Sequence, residues 1–451
     1  MRSPLLVDYR FHPVGQGLFA SGHLTQMRTE VSSPDFSWVY DCGTTSSQDL
    51  INDSLMRLEN ALGGSRPILD LVIISHFDKD HISGISKLLG KFNVRTLVIP
   101  LVPLWQRLSL LFNTTRYVEK NALPFYLDPV AAISRVEGAR IERIVLVPPS
   151  GGDGPPEQRA SDNAPQPNLA DDGAEATGDQ GSRLELKLPL GSFELFDGDD
   201  ESSGTYNTTK VYRMPPGESM SCNEHFEFIP YNDADLAPPP SSAFIASVAA
   251  KAKVLLSATS DVARTDALKK LKREYEATYK RPEHRNAISL YMYAGPVGAR
   301  KAIDVRRLPC FNISLQQKQL HGLPLRHCPV CWGRLVNANR FRGCSDDCAN
   351  ILYTGDGFLT TPMSWTRLAG YLGPSRTTPL LAFQVMHHGS SKNWHEKLAS
   401  GVRAQVAIFS SDPDHRKFKH PHNNVVDDFE AVSIVARVNK SAGYALVRGV
   451  A

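Results

Sequence analysis

Residues 69–89 read LDLVIISHFDKDHISGISKLL, and the reading of this stretch decides the fold. Leu71 to Ile74 is a run of β-branched and aliphatic residues, the pattern of a strand buried on both faces. Ile82 to Leu89 carries apolar residues at helical spacing. Between them His76, Asp78, Asp80 and His81 fall on a tight strand-to-helix turn. There, side chains that bind hard or borderline cations can converge at the carboxyl edge of a sheet. A charged surface loop that happens to hold two histidines is the ordinary alternative. A buried strand before, Gly84 and a helix after, and more residues of the same kinds downstream weigh against it.

With 451 residues the chain has room for two or three average domains, or for one large α/β domain with insertions. Hydrophobic residues make up 41%, enough to bury a core. Its 50 basic and 47 acidic residues nearly cancel, so no strong overall field steers the chain to nucleic acid, and any such contact must come from a local patch. The opening MRSPLLVDYR lacks the apolar core of a signal peptide, and no run of about 18 apolar residues occurs. The expectation is a soluble cytoplasmic protein without a membrane partner. In that compartment the seven cysteines stay reduced and serve as metal ligands or buried hydrophobes.

Upstream, LLVDYRFHPVGQGLF reads as a strand followed by a turn at Gly15 and Gly17. Phe36 to Tyr40 is the next strand and runs into Asp41-Cys42-Gly43; a helix from about Ser47 to Leu62 follows. After the central stretch, Val94 to Pro100 is a strand, so residues 1–100 form an α/β half-domain. Trp105 to about Ile144 reads as mixed and mostly helical. Residues 148–181 are rich in Pro, Gly and acidic side chains and poor in large apolar ones, the composition of a flexible surface insertion. Strand-like segments resume at 184–188, 192–196 and Phe226 to Pro230. Helices follow at Ala243 to Leu255 and Ala267 to Lys280, the second one basic, with a solvated face as its simplest reading. Asn286 to Tyr293 is again a strand.

Cys328, Cys331, Cys344 and Cys348 are spaced C-x2-C-x12-C-x3-C, the ligand spacing of a tetrahedral structural zinc site that would staple a small insertion. Ile351 to Thr354 is then a strand delivering Gly355-Asp356-Gly357. Leu380 to Met386 delivers His387-His388-Gly389-Ser390, and Val406 to Phe409 leads into a loop ending at His420-Pro421-His422. An apolar strand whose carboxyl end presents His or Asp thus recurs along the chain, which points to a shared metal centre.

At these residues the sequence resembles the metallo-β-lactamase fold superfamily of hydrolases. Within it, it is most similar to the soluble nuclease-like domain of ComEC-type DNA-uptake proteins. The matching pieces are Val14-Gly15-Gln16-Gly17, Asp41-Cys42-Gly43, SHFDKDHISG, Asn286-Ala287-Ile288-Ser289-Leu290, Tyr353-Thr354-Gly355-Asp356, His387-His388-Gly389-Ser390 and His420-Pro421-His422, in the family's order. There are departures. Asp78 stands where the commonest signature has His, and Leu18 follows Gly17 where the ComEC-type pattern usually has Asp. The tract 101–285 and the cysteine cluster have no counterpart, and no membrane domain is present.

The resemblance implies an αββα sandwich whose halves are residues 1–100 and 286–451, with 101–285 inserted and a zinc knuckle at 321–350. It implies two divalent cations at one edge, held by His76, Asp78, Asp80, His81, Asp356 and one of His387 and His388, with Asp356 bridging. Asp78 in place of an imidazole favours Mn²⁺, Mg²⁺ or Fe over the Zn pair of the wider superfamily. The activity implied is that of a phosphodiesterase cleaving DNA or RNA by a metal-bridged hydroxide. Catalytic roles fall on Asp80 and on His420 or His422 at the cleft mouth; Ser390, Lys417 and Lys419 lie on the substrate side. The alternative is a small-molecule hydrolase of the same fold acting on a lactone, thioester or phosphoester. A binding subunit with a degenerate centre is a third reading, against which the full ligand set argues. A free-standing chain with such additions also fits an effector of a multi-gene bacterial defence system, working with a protein partner.

Overall fold

Leu5, Val7, Tyr9 and Phe11 fall on one side of an extended segment, and all are buried. That alternation is the signature of a strand with one face in a core, and it sets the layering of the whole molecule. The computed structural model describes residues 5–26, 34–111, 123–151, 153–155, 184–188, 194–195, 209–222, 226–233, 240–278, 289–297, 349–443 and 445–450. The expected zinc ligands Cys328, Cys331, Cys344 and Cys348 lie outside these residues, as does most of 148–181.

In chain order the first part comprises β1 (Leu5–Phe11), β2 (Phe19–Gln26), β3 (Phe36–Cys42), α1 (Gln48–Leu62), β4 (Ile68–Ile73), α2 (Lys79–Ile82), α3 (Ile85–Lys91) and β5 (Asn93–Pro100). Next come α4 (Leu104–Leu111), α5 (Leu123–Leu127), α6 (Pro129–Ser134), β6 (Arg140–Val147), β7 (Leu186–Lys187), β8 (Glu194–Leu195), β9 (Lys210–Arg213), β10 (Met220–Cys222), β11 (Phe226–Asn232), α7 (Ser242–Ser257) and α8 (Asp261–Thr278). The last part holds β12 (Leu290–Pro296), β13 (Ile351–Tyr353), α9 (Pro362–Leu372), α10 (Pro374–Thr377), β14 (Leu380–Gln384), α11 (Leu398–Val402), β15 (Ala404–Ser410), α12 (Asn423–Glu430), β16 (Ile434–Val438) and β17 (Ala445–Val450).

The strands form two sheets, ordered β17-β1-β2-β3-β4-β5-β6-β9-β8 and β16-β15-β14-β13-β12-β11-β10-β7. Between them lies a core that includes Tyr9, Trp38, Tyr40, Leu71, Ile73, Phe228, Met292 and Tyr353. The outer face of the first sheet is packed by α1 and α3 to α8 through residues such as Leu55, Leu88, Leu123, Phe244 and Tyr275. The outer face of the second is packed by α9, α11 and α12 through Leu368, Val402 and Phe429. Helices therefore cover both outer faces of two stacked sheets, which is the expected αββα arrangement. Each fully buried Leu or Phe in these layers stabilises the fold by about 1.5–3 kcal/mol. Among the described residues, no helix is long and apolar enough to cross a membrane.

The strands differ from the sequence expectation in several places. β2 is an additional strand; its residues FASGHLTQ hide the period because Gly22 packs directly under the Trp38 ring and His23 faces away from that core. The region from Trp105 to Ile144 is helical only to Ser134, and Arg140 begins β6, an inner strand of the first sheet. The tract 101–285, expected as an inserted or elaborated region, supplies β6, β8 and β9 to the first sheet and β7, β10 and β11 to the second; β7, β8 and β11 fall on the strand-like segments expected there, and β6, β9 and β10 are additional. The chain's last strand, β17, also pairs with β1 rather than with the second sheet. Sheet membership here depends on pairing across long sequence separations, which local periodicity does not report.

The parallel strands β3, β4, β13, β14 and β15 all run so that their carboxyl ends open on one edge of the sandwich. That is where an α/β sheet exposes loop backbone and side chains without spoiling its own pairing.

Candidate metal centre

β4 ends at Ile73, and the chain passes through Ser75 and His76 before Asp78 starts α2. This turn is fixed from below. Leu18 donates its N–H to the Asp80 carbonyl at 2.9 Å, Gly43 to the Leu18 carbonyl at 3.0 Å, and Gly84 to the Cys42 carbonyl at 2.8 Å. Gly43 has no substitute in this arrangement, since a Cβ there would lie 2.4 Å from the backbone nitrogen of His81. His76 and His81 are consequently fully buried, with ring centroids 4.0 Å apart.

The opposite wall comes from the second sheet. β13 delivers Gly355 and Asp356, and Gln384 of β14 holds that turn by accepting the N–H groups of Thr354 at 2.8 Å and Gly355 at 2.7 Å. Ser289 accepts the Asp356 N–H at 3.0 Å. Beyond β14, His387 and His388 both adopt left-handed backbone, with φ of 46° and 58°. For residues with a Cβ this costs on the order of 1–2 kcal/mol each. The His387 N–H to Gly355 carbonyl bond at 2.9 Å and the contact of the His388 ring with the end of β15 hold the turn in place.

Asp356 is the residue on which the walls meet. Its Oδ1 lies 3.0 Å from His81 Nε2 and 3.8 Å from His388 Nε2; its Oδ2 lies 3.6 Å from His76 Nε2 and 3.5 Å from His387 Nε2. Asp80 Oδ2 lies 3.3 Å from His388 Nε2, and Asp78 Oδ2 is 3.9 Å from His76 Nε2. Asp80, His81, Asp356 and His388 each offer a ligand atom within 4.8 Å of the others.

Further hydrogen bonds decide which ring nitrogens face inward. His81 Nδ1 lies 2.8 Å from Asp41 Oδ2 and donates to it. The Ser75 hydroxyl donates to the same carboxylate at 2.6 Å, so its oxygen accepts the Nδ1–H of His76 at 2.9 Å. His388 Nδ1 donates to the Ser410 carbonyl at 2.7 Å. In each ring Nε2 is turned toward the cluster, the orientation that metal-ligating histidines need. His76 Nε2, His81 Nε2 and Asp356 Oδ1 are buried without a hydrogen-bond partner. Lone pairs of like sign facing one another in a buried space are costly unless a cation joins them, so the residues present fit a divalent metal ion.

The electrostatics agree. For His81, burial lowers proton affinity, but the Asp356 and Asp41 carboxylates outweigh it and raise the imidazole well above its ordinary range. His388 is likewise raised: burial opposes, and the hydrogen bond to Asp80 and the Asp356 charge prevail. Asp80 and Asp356 are held below the usual carboxylate range despite burial, Asp80 by its His388 hydrogen bond and His81, Asp356 by His387 and His81. Without a metal, the site thus places protons where a cation's charge would sit. Asp78 is pushed up to about 7 by burial and then by the negative charges of Asp80 and Asp356.

Of the residues expected from the sequence, His76, Asp78, Asp80, His81, Asp356, His387 and His388 all border this cluster. His420 sits at its side, its ring 5.8 Å from that of His387 and 6.4 Å from that of His388, with Nδ1 buried and unpartnered. Burial and the neighbouring imidazoles lower His420 to about 3. His422 instead secures the backbone nearby, its Nδ1 accepting the Ser391 N–H at 3.0 Å and its own N–H reaching the Gly389 carbonyl. Ser390 is 3% exposed, and its oxygen accepts the Lys392 N–H at 3.3 Å. Lys417 and Lys419 are exposed, with the Lys417 ammonium over the Phe418 ring. The sequence reading missed the supporting groups Asp41, Ser75, Gln384 and Ser410, and also Tyr126. Asp41 stands in the Asp41-Cys42-Gly43 motif, and a polar residue closing a buried strand was the available signal.

The model of the metallo-beta-lactamase superfamily matches residues 31–159, which contain Asp41, His76, Asp78, Asp80 and His81; Asp356, His387 and His388 lie beyond the matched stretch. No curated protein matches the chain. Residues 31–159 are therefore similar to the metallo-beta-lactamase superfamily, which is made up mostly of metal-dependent hydrolases, and the two helix-covered sheets are consistent with its fold.

Proposed function

We propose that the chain is a metal-dependent phosphodiesterase cleaving DNA or RNA, similar to the nuclease-like domain of ComEC-type proteins. One observation carries the reading: the two oxygens of Asp356 face separate pairs of imidazoles, Oδ1 toward His81 and His388 and Oδ2 toward His76 and His387, with Asp80 beside His388 and Asp78 beside His76. A carboxylate so placed would bridge two divalent ions, the first group holding one and the second the other. Bound in pairs, such ions acidify water at neutral pH and clamp the scissile group of an in-line displacement. The carboxylates Asp78, Asp80 and Asp356 are hard ligands that favour Mn²⁺ or Mg²⁺ alongside Zn²⁺.

The protein's own part on the substrate side falls to the loop from Asp412 to His422. Arg416, Lys417 and Lys419 are exposed there and would attract a polyanion. His420, held neutral beside the cluster, would donate a hydrogen bond to a phosphoryl oxygen rather than deliver a charge. His422 would keep that loop against the His387-His388 turn through Gly389 and Ser391, and Ser390 would lie on the substrate side. Cys328, Cys331, Cys344 and Cys348 would bind a structural Zn²⁺, and an effector role in a bacterial defence system, with a protein partner, belongs to the same reading.

Purified protein is to be incubated with single- and double-stranded DNA, RNA, bis-p-nitrophenyl phosphate, and lactone and thioester substrates, each with Mn²⁺, Mg²⁺ and Zn²⁺. Cleavage of a nucleic acid that Asp356→Ala loses by more than about 100-fold, beyond the loss of a supporting hydrogen bond, is the expected result. Turnover confined to lactones or thioesters would replace the phosphodiesterase reading by that of a small-molecule hydrolase. Full activity in Asp356→Ala would remove the site assignment.

A further inference from the structure

Asp78 opens α2, yet its side chain makes no capping bond to that helix. Its carboxylate is held instead from the tract 101–285: the hydroxyl of Tyr126 donates to Asp78 Oδ1 at 3.2 Å. Oδ2, the other oxygen, is the one that approaches His76. The two oxygens of Asp78 are thereby given different roles, one tied to the protein and one left for the cluster.

The tyrosine is itself fixed with care. Tyr126 is 6% exposed and lies in the core between the first sheet and its helices. Arg107 of α4 clamps the end of α5: its Nε donates to the Tyr126 carbonyl at 2.9 Å, its Nη2 to the Leu127 carbonyl at 2.9 Å, and its Nη1 to the Val102 carbonyl. Just beyond, Asp128 caps α6 by accepting the Ala131 N–H at 2.9 Å. A main chain anchored at Tyr126 and at the two residues after it leaves its hydroxyl little freedom to leave Asp78.

We infer that Tyr126, held by Arg107, is a positioning residue that makes Asp78 a one-oxygen ligand of the ion beside His76 and His387. This rests on the proposed two-ion centre. Left untied, a carboxylate can swing and take a cation with both oxygens, at longer and less directed contacts; tied at Oδ1, it presents Oδ2 in one direction. The helices α4 to α6 thus reach into the centre and set the hold on one of its two ions, while Asp80, His81 and His388 are untouched.

The test is a titration of chelator-treated wild-type and Tyr126→Phe chains with Mn²⁺ and with Zn²⁺, followed by calorimetry, with the unfolding midpoint of each metal-free chain recorded beside it. Loss of the hydroxyl is expected to weaken the binding of one ion of the centre by about 10- to 100-fold and to leave the centre's other ion, and in the Zn²⁺ titration any ion taken up by the cysteines, unchanged. Two ions bound by Tyr126→Phe with wild-type affinities would overturn the role of the tyrosine alone, as would a variant that shifts only the metal-free unfolding midpoint. A wild-type chain that takes up neither Mn²⁺ nor Zn²⁺ would overturn the metal centre, and the role of Tyr126 with it.

Discussion

At the residue scale the centre depends on side chains that never touch the cluster. Asp41 is the clearest case: fully buried, in left-handed backbone with φ of 56°, it accepts both the Ser75 hydroxyl and the His81 Nδ1–H. Its charge keeps His81 in the tautomer with Nε2 facing Asp356, and through Ser75 it also orients His76. Asp41→Asn keeps the shape and removes the charge, so metal affinity is expected to fall by about 10- to 100-fold. A competition titration with a chromogenic chelator measures it, and an unchanged affinity would mean the carboxylate serves only packing. Asp41 and His81 are 40 positions apart. Both residues were legible in the sequence as strand-end polar groups, but their pairing was not, because nothing local joins them.

At the scale of elements, the tract 101–285 is bound into the fold rather than hung on it. Glu227 in β11 meets Arg376 in α10 through bonds of 2.8 and 3.1 Å, and Arg376 also donates to the Leu372 and Pro155 carbonyls. Both side chains are 3% exposed, so neither can turn to water if its partner is lost. Arg376→Met takes the guanidinium away from a buried carboxylate and is expected to cost about 3–5 kcal/mol in urea unfolding. The double change Glu227→Gln with Arg376→Met should recover a large part of that loss; if the double variant is as unstable as the single one, the charge pair is not what the single change removed. The strands bearing the His and Asp motifs were legible because each is a continuous apolar run that ends in polar residues. β2 and β9 were not, since their pairing comes from neighbours far along the chain.

At the scale of the whole molecule, the centre joins two sheets that also meet through an apolar core crossed by hydrogen bonds such as that from the Tyr40 hydroxyl to the Leu290 carbonyl at 2.6 Å. A cation held by Asp80, His81, Asp356 and His388 links the turn after β4 with those after β13 and β14. Bound at a concentration 100 times its dissociation constant, one ion stabilises the folded chain by about 2.7 kcal/mol, so chelation is expected to lower the unfolding midpoint and added Mn²⁺ or Zn²⁺ to restore it. Uptake should also release protons at neutral pH. His81 and His388 have raised proton affinity in the metal-free chain, and Nε2 must give up its proton before it can hold a metal. Affinity therefore rises with pH until those imidazoles are neutral. Calorimetry in two buffers of different ionisation enthalpy counts the released protons, and a count of zero would contradict this account.

The amino-acid sequence by itself determined which side chains stand at the ends of which strands. Hydrophobic period, a glycine after a turn and a run of His and Asp are all properties of a short piece of chain, and His76, Asp78, Asp80, His81, Asp356, His387 and His388 could be picked out from them. Only the tertiary structure decided the order of strands in the sheets, which oxygen of Asp356 faces which imidazole, and that Tyr126 secures Asp78. Those are set by packing between segments that the chain keeps far apart, and free energy of that kind leaves no trace in any one segment.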